Sequence, residues 1–162
     1  MLAPSDGSLQ ISGDTFTPSH WLTPLRAREL RIAHVPEDRQ EQGAVLPLSI
    51  RENITLASIG SHVRNFFLSK PSELDAVRVL GRRLDVRAAH WEQRLGDLSG
   101  GNQQKVVIAK WLAAKPKVII LDEPTKGIDI GSKAAVHDFI GELAEEGLAV
   151  ILISSELPEI MG

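Results

Sequence analysis

Leu9 and Ile11 alternate with polar neighbours before a turn at Gly13-Asp14, and a basic stretch from Arg26 to Arg31 runs into Ile32-Ala33-His34-Val35, which Pro36 stops. This spacing predicts strand, short helix, strand. Between Ser61 and Asp97 the period turns helical: Leu74, Val77, Leu80 and Leu84 share one face, the arginines fall off it, and Ser72 stands where an N-cap belongs. A further helix starts at Ser99, carries Val106, Ile108, Trp111 and Leu112, and is stopped by Pro116. Val118-Ile119-Ile120-Leu121 is apolar at every position, as a strand inside a parallel sheet is. A helix with Val136, Phe139, Ile140 and Leu143 on one side and Gly147 past its end leads to Ala149–Ile153, which also reads as a buried strand. Two wholly apolar strands joined by a helix predict a right-handed crossover in an α/β sheet, with ligands beyond the carboxyl ends of the strands. Asp122-Glu123 and Ser154-Ser155-Glu156 stand at those ends.

Composition narrows the class without naming a function. The 162 residues are 43% hydrophobic and 24% charged, with a net charge of −3 and no apolar run near the roughly 20 residues that cross a bilayer. With no cysteine, disulfides and thiolate metal sites are excluded. The mild acidity gives no basic footprint for nucleic acid, no basic and apolar leader opens the chain, and the expected compartment is the cytoplasm. The five histidines, His20, His34, His62, His90 and His137, show no helical metal-pair spacing.

Two short runs carry candidate chemistry. A strand ending in Asp122-Glu123 can hold a hard cation with the first carboxylate and orient or deprotonate water with the second, because successive side chains of a strand point apart. Asp-Glu-Pro is equally a polar turn that ends a strand. In Leu98-Ser99-Gly100-Gly101-Asn102-Gln103-Gln104-Lys105 a glycine pair opens a helix, where unpartnered N–H groups and the positive end of the dipole suit a phosphate. Alone, that run is equally a flexible cap.

Order and context make the pair specific. LSGGNQQK resembles the signature motif of the ABC ATPases, and VIILDEP resembles their Walker B strand with its glutamate. GIDIGSK is similar to the D-loop, ILISSELPEIMG to the switch region, and VPEDRQEQGAVLPLSIRENI to the segment between the Q-loop and the transmembrane contact. VPEDR, LSGGNQQK and SSELPEIMG together resemble the second ATPase half of importers of ribose, galactose and arabinose. Soluble ABC ATPases of DNA repair or translation share the signature and Walker B but not VPEDR and SSELPEIMG in this form.

The resemblance implies an α/β fold: a partial P-loop NTPase-like (RecA-like) parallel sheet with a small α-helical subdomain. It divides the chain into a sheet-side region (1–60), a helical subdomain (61–98), and the signature helix through the switch region (99–162). It further implies that Asp122 and, at the Q-loop position, Glu37 hold magnesium, and that Glu123 polarises the hydrolytic water. Ser99, Gly100, Gly101, Asn102 and Gln103 would embrace the γ-phosphate of ATP bound by the opposite half, and Asp129 would reach across the dimer. The implied cofactors are ATP and Mg2+. The implied partners are a second ATPase half, a transmembrane permease and, indirectly, a periplasmic sugar-binding protein, on the inner face of the membrane. A non-catalytic module that lends its signature helix or a docking surface to another half is the alternative.

Departures from the family pattern matter as well. Ser155 stands where a switch histidine is usual, and loss of such a donor costs about 3 to 4 kcal/mol of transition-state stabilisation. Glu37 replaces the Q-loop glutamine. No G-x-x-x-x-G-K-[ST] occurs and no aromatic stands ready for adenine, so the chain reads as a fragment with no useful ATP affinity or turnover of its own.

Overall fold

The computed structural model describes residues 5–156. β1 (Leu9–Ile11) and β2 (Asp14–Phe16) form an antiparallel hairpin turned at Ser12 and Gly13, both at positive φ (52° and 90°), so Asp14 begins the second strand instead of sitting in the turn. α1 (Pro24–Glu29), with Thr23 as its cap and proline at its start, leads to β3 (Ile32–Val35). After a single π turn at Arg39–Gly43 comes α2 (Ile50–Thr55), which the sequence reading missed. It opens with a capping box: Glu52 N donates to the Ser49 hydroxyl oxygen, and the Glu52 carboxylate accepts from Ser49 N at 2.8 Å.

The 61–98 region is less helical than its periodicity suggests. After a 3₁₀ stretch at Leu56–His62, β4 (Val63–Arg64) and β5 (Phe67–Leu68) pair as a hairpin whose turn residues Asn65 and Phe66 both have positive φ. α3 (Lys70–Arg83) is capped at Ser69, not Ser72, because Pro71 fits the first turn. Ser72 lies inside the helix, with its hydroxyl 3.0 Å from His62 Nδ1. Residues 84–98 run irregularly back to α4 (Gly100–Ala113), and Trp91 packs over Gly81 of α3. α2 packs against both α3 and α4. Residues 50–55 therefore belong with the helices, although the sequence division placed them on the sheet side.

The remaining elements are β6 (Val118–Asp122), α5 (Ile130–Glu145) and β7 (Ala149–Ile153). β6 pairs in parallel with β3 on one side and β7 on the other, as its apolar run predicts. Ala33, Val35, Ile119 and Leu121 are buried on one face, in one cluster with Val106 and Ile108 of α4 and Val136, Phe139 and Leu143 of α5. The expectation of a second fully buried strand fails. Ile151 and Ile153 are 49% and 47% exposed, because among the described residues helices cover only one face of the sheet and β7 is its edge.

Candidate functional site

Because β3, β6 and β7 run parallel in register, Val35 with Leu121 and Asp122 with Ile153, the segments after all three strands leave the sheet at one edge. Glu37, Asp122 with Glu123, and Ser154 with Ser155 are delivered there from far apart in sequence. Asp122 projects beside His34 of the neighbouring strand, Oδ2 lying 3.9 Å from Nε2, with one third of the side chain exposed. Glu123 turns the other way. Its φ of 47° is left-handed, a conformation a non-glycine residue adopts only when its surroundings hold it there. Two bonds do so: Glu123 N donates to the Ile153 carbonyl at 2.8 Å, and Ser155 N donates to Glu123 Oε1 at 2.6 Å. The adjacent acids thus serve separate positions, one toward His34 and one held by the chain leaving β7. The main chain of Ser155, and not its hydroxyl, makes the contact.

Glu37 has a different partner from the one its position suggested. Its carboxylate accepts from Lys126 Nζ at 2.5 Å, which raises the ammonium pKa above its usual range, with Glu123 a lesser contributor. As placed, one oxygen of the half-exposed Glu37 carboxylate is taken by this ion pair. No cluster of three or more His, Asp or Glu side chains suited to a metal occurs among the described residues. Asp122, a partly exposed hard oxygen donor, is the residue that fits magnesium. That ion accepts one or two carboxylates and takes its other ligands from phosphate and water.

The glycine-rich helix start lies on the same side. A Cβ on Gly100 would stand 3.3 Å from the Gly127 carbonyl, and one on Gly101 only 2.4 Å from Ser132 Oγ, so the start of α4 sits against the loop that leads from Glu123 into α5. Ser99 is the exposed N-cap of α4 and makes no capping bond to the helix backbone. Its hydroxyl accepts from Asn102 Nδ2 at 2.9 Å, while Asn102 Oδ1 accepts from Arg87 N at 2.7 Å. Gln103, counted among the phosphate contacts from sequence, is 5% exposed and donates to the Leu98 carbonyl at 3.0 Å, so its amide faces inward. Asp129 caps α5: Oδ1 accepts from Ser132 N at 3.0 Å and Oδ2 from the Ser132 hydroxyl at 2.7 Å, which holds its carboxyl below the ordinary range.

The closeness of Gly101 and Ser132 makes a prediction. Gly101→Ala is expected to cost about 1–3 kcal/mol by overpacking, read as a lower urea midpoint of the chain, and Ser132→Gly in the same chain to recover part of it.

Residues 1–126 match the family described as ABC transporter. The chain belongs to that family. This ABC chain is 59% identical over 159 residues to the ribose import ATP-binding protein RbsA of Jannaschia sp. (strain CCS1), covering 98% of this chain and 30% of the relative. It is 44% identical over 156 residues to the ribose import ATP-binding protein RbsA of Lactococcus lactis subsp. cremoris (strain SK11), covering 96% of this chain and 31% of that protein. It spans about 30% of the length of these curated relatives. Among solved structures, a nucleotide-free ATP-binding cassette superposes with a TM-score of 0.77 at 19% identity, covering 99% of this chain and 64% of the other. A dimeric ATP-binding cassette bound to ADP and Pi superposes at 0.74 and 20% identity, covering 96% and 66%. These likenesses establish the fold of the ABC chain: a mixed α/β cassette with a parallel sheet. Sequence reasoning pointed to its acids and glycines but missed the contacts made by Lys126 and by the Ser155 main chain, because these arise from strand pairing and no local motif marks them.

Proposed function

We propose that the chain is part of the ATP-hydrolysing subunit of an ABC importer of ribose or a related sugar. The observation that carries this reading is that Asp122 and Glu123 end the central strand and that the loop and helix following them, at Gly127 and Ser132, pack against the glycine-rich start of α4. Asp122 takes the magnesium position and Glu123, held by Ser155 N, takes the place of the base that receives a proton from water. Bound magnesium neutralises phosphate charge as it develops. Ser99, Gly100 and Gly101 offer the opened N-terminus of a 14-residue helix to the γ-phosphate held by a second ATPase half. Asn102 orients Ser99 for that contact. Asp129 fixes the direction in which α5 leaves the edge, beside the partner half. A permease in the membrane and, beyond it, a periplasmic sugar-binding protein complete the assembly. No helix among the described residues is long and apolar enough to cross a membrane, which suits a subunit on the inner face.

A second reading, that this half lends α4 to its partner and does not hydrolyse ATP itself, is favoured by Ser155 standing where an imidazole would reach the phosphate. Glu123→Gln in the complete protein separates the two. Glutamine keeps an oxygen for Ser155 N but cannot take the proton, so turnover is expected to fall about 10²–10⁴-fold, the contribution of a general base. Unchanged turnover assigns this chain to the lending role.

A further inference from the structure

Three consecutive residues after β3, Glu37, Asp38 and Arg39, fasten the carboxyl edge. Asp38 Oδ1 accepts from the main-chain N–H of Gln40 and of Glu41, both at 3.0 Å, and fixes the turn that begins at Arg39. Glu37 pairs with Lys126 across to the loop after β6. Arg39 follows the same path. Its Nη1 donates to the Lys126 carbonyl at 2.9 Å and its Nη2 to the Gly127 carbonyl at 3.3 Å. The guanidinium fills the space between that loop and the signature helix: a Cβ on Gly100 would fall 2.7 Å from Nη2, closer than the space allows. One side chain thus touches both the loop that continues from Glu123 and the opening of α4.

We propose that Arg39 is a positioning residue for ATP hydrolysis, clamping the loop after the Glu123 strand against the glycine start of the signature helix. The inference rests on the function proposed above. The loop is open to solvent, with Gly127 at a φ of 68° and Lys126 and Gly127 both exposed, and the Arg39 guanidinium reaches both of their carbonyls. Arginine suits the task, since a planar fork of donors can bridge two successive carbonyls where a lysine ammonium is a single point. On the trans reading Glu123 and α4 serve different nucleotides, so the clamp links the two sites.

The test is made on the complete protein. ATPase rates against MgATP concentration are measured for the wild type, Arg39→Ala and Arg39→Lys, together with amide hydrogen exchange at 126–129 and 100–102. In Arg39→Ala, kcat is expected to fall about ten- to a hundredfold, the scale of a misplaced reacting group, with KM for ATP within about twofold. Millimolar guanidinium is expected to restore part of that kcat in Arg39→Ala while leaving the wild type unchanged. Exchange at 126–129 is expected to quicken about tenfold in both variants, lysine failing because it cannot bridge both carbonyls. If kcat stays within about twofold of the wild type, or falls while exchange at 126–129 is unaltered, the proposal is overturned. A wild-type protein that hydrolyses no ATP overturns the proposed function instead, and the exchange data then decide alone whether Arg39 holds the loop.

Discussion

Arg51→Met is expected to destabilise the chain by about 3–5 kcal/mol, among the largest losses a single substitution here can give. Arg51, with 9% of its side chain exposed, is the hub of a cluster that ties α2 to α3 and to the irregular segment before α4. Its Nη1 donates to Glu73 Oε2 at 2.8 Å, and its Nε to Glu92 Oε1 at 2.9 Å. Arg51 N also donates to the Trp91 carbonyl at 2.9 Å. The bond to Glu92, then the charges of Glu73 and Glu92, raise the guanidinium pKa against the opposing effect of burial. Methionine fills most of the volume but strands Glu73, 2% exposed, with only the Thr55 hydroxyl at 2.7 Å to satisfy its charge. That uncompensated carboxylate is the source of the loss, so Arg51→Met with Glu73→Leu should recover most of it, since a buried pair replaced by apolar side chains of similar size is near neutral. Chemical denaturation of the three chains checks this. A single variant within about 1 kcal/mol of the wild type would show that the cluster is solvated and not structural.

That cluster also shows where sequence reading runs out. Its members, Arg51, Glu73 and Glu92, are far apart along the chain, and no period marks them as partners. The central strand was legible because four successive apolar residues at 118–121 have few other uses, and α4 and α5 because glycine, proline and apolar spacing bracket them. β7 carries the same apolar signal yet lies at the sheet edge, since hydrophobicity records what a strand is able to bury and not what covers it. α2 was missed because six residues hold too few turns to show a period, although Ser49 and Glu52 spell its cap. At the site, residue types were legible and partnerships were not. Asp122 and Glu123 fall at the strand end as expected, while the ion pair of Glu37 with Lys126 depends on the pairing of β3 with β6. Gln103 was misassigned because one turn of helix carries a side chain from the open N-terminus to the core.

Ser99→Asp is expected to lower ATP turnover by the complete protein about a hundredfold without weakening the fold. Aspartate is as good an N-cap as serine, and a negative charge at the start of α4 is favoured by the helix dipole, so the domain should stay within about 0.5 kcal/mol of the wild type. The same charge would stand where a γ-phosphate must approach. Loss of one well-placed donor at such a site costs about 10²–10³ in rate, and a carboxylate facing phosphate removes the donor and adds repulsion. Turnover is thereby lowered while stability is left nearly unchanged.

The most direct measurement of whether this helix end receives phosphate is single-turnover cleavage of MgATP by the complete protein, wild type against Ser99→Asp, with the melting temperature followed in parallel. The reading given above predicts an unaltered melting temperature and cleavage slowed about a hundredfold. Cleavage at the wild-type rate in a folded Ser99→Asp protein would mean that the start of α4 meets no nucleotide, and the assignment of this edge to ATP hydrolysis would be wrong.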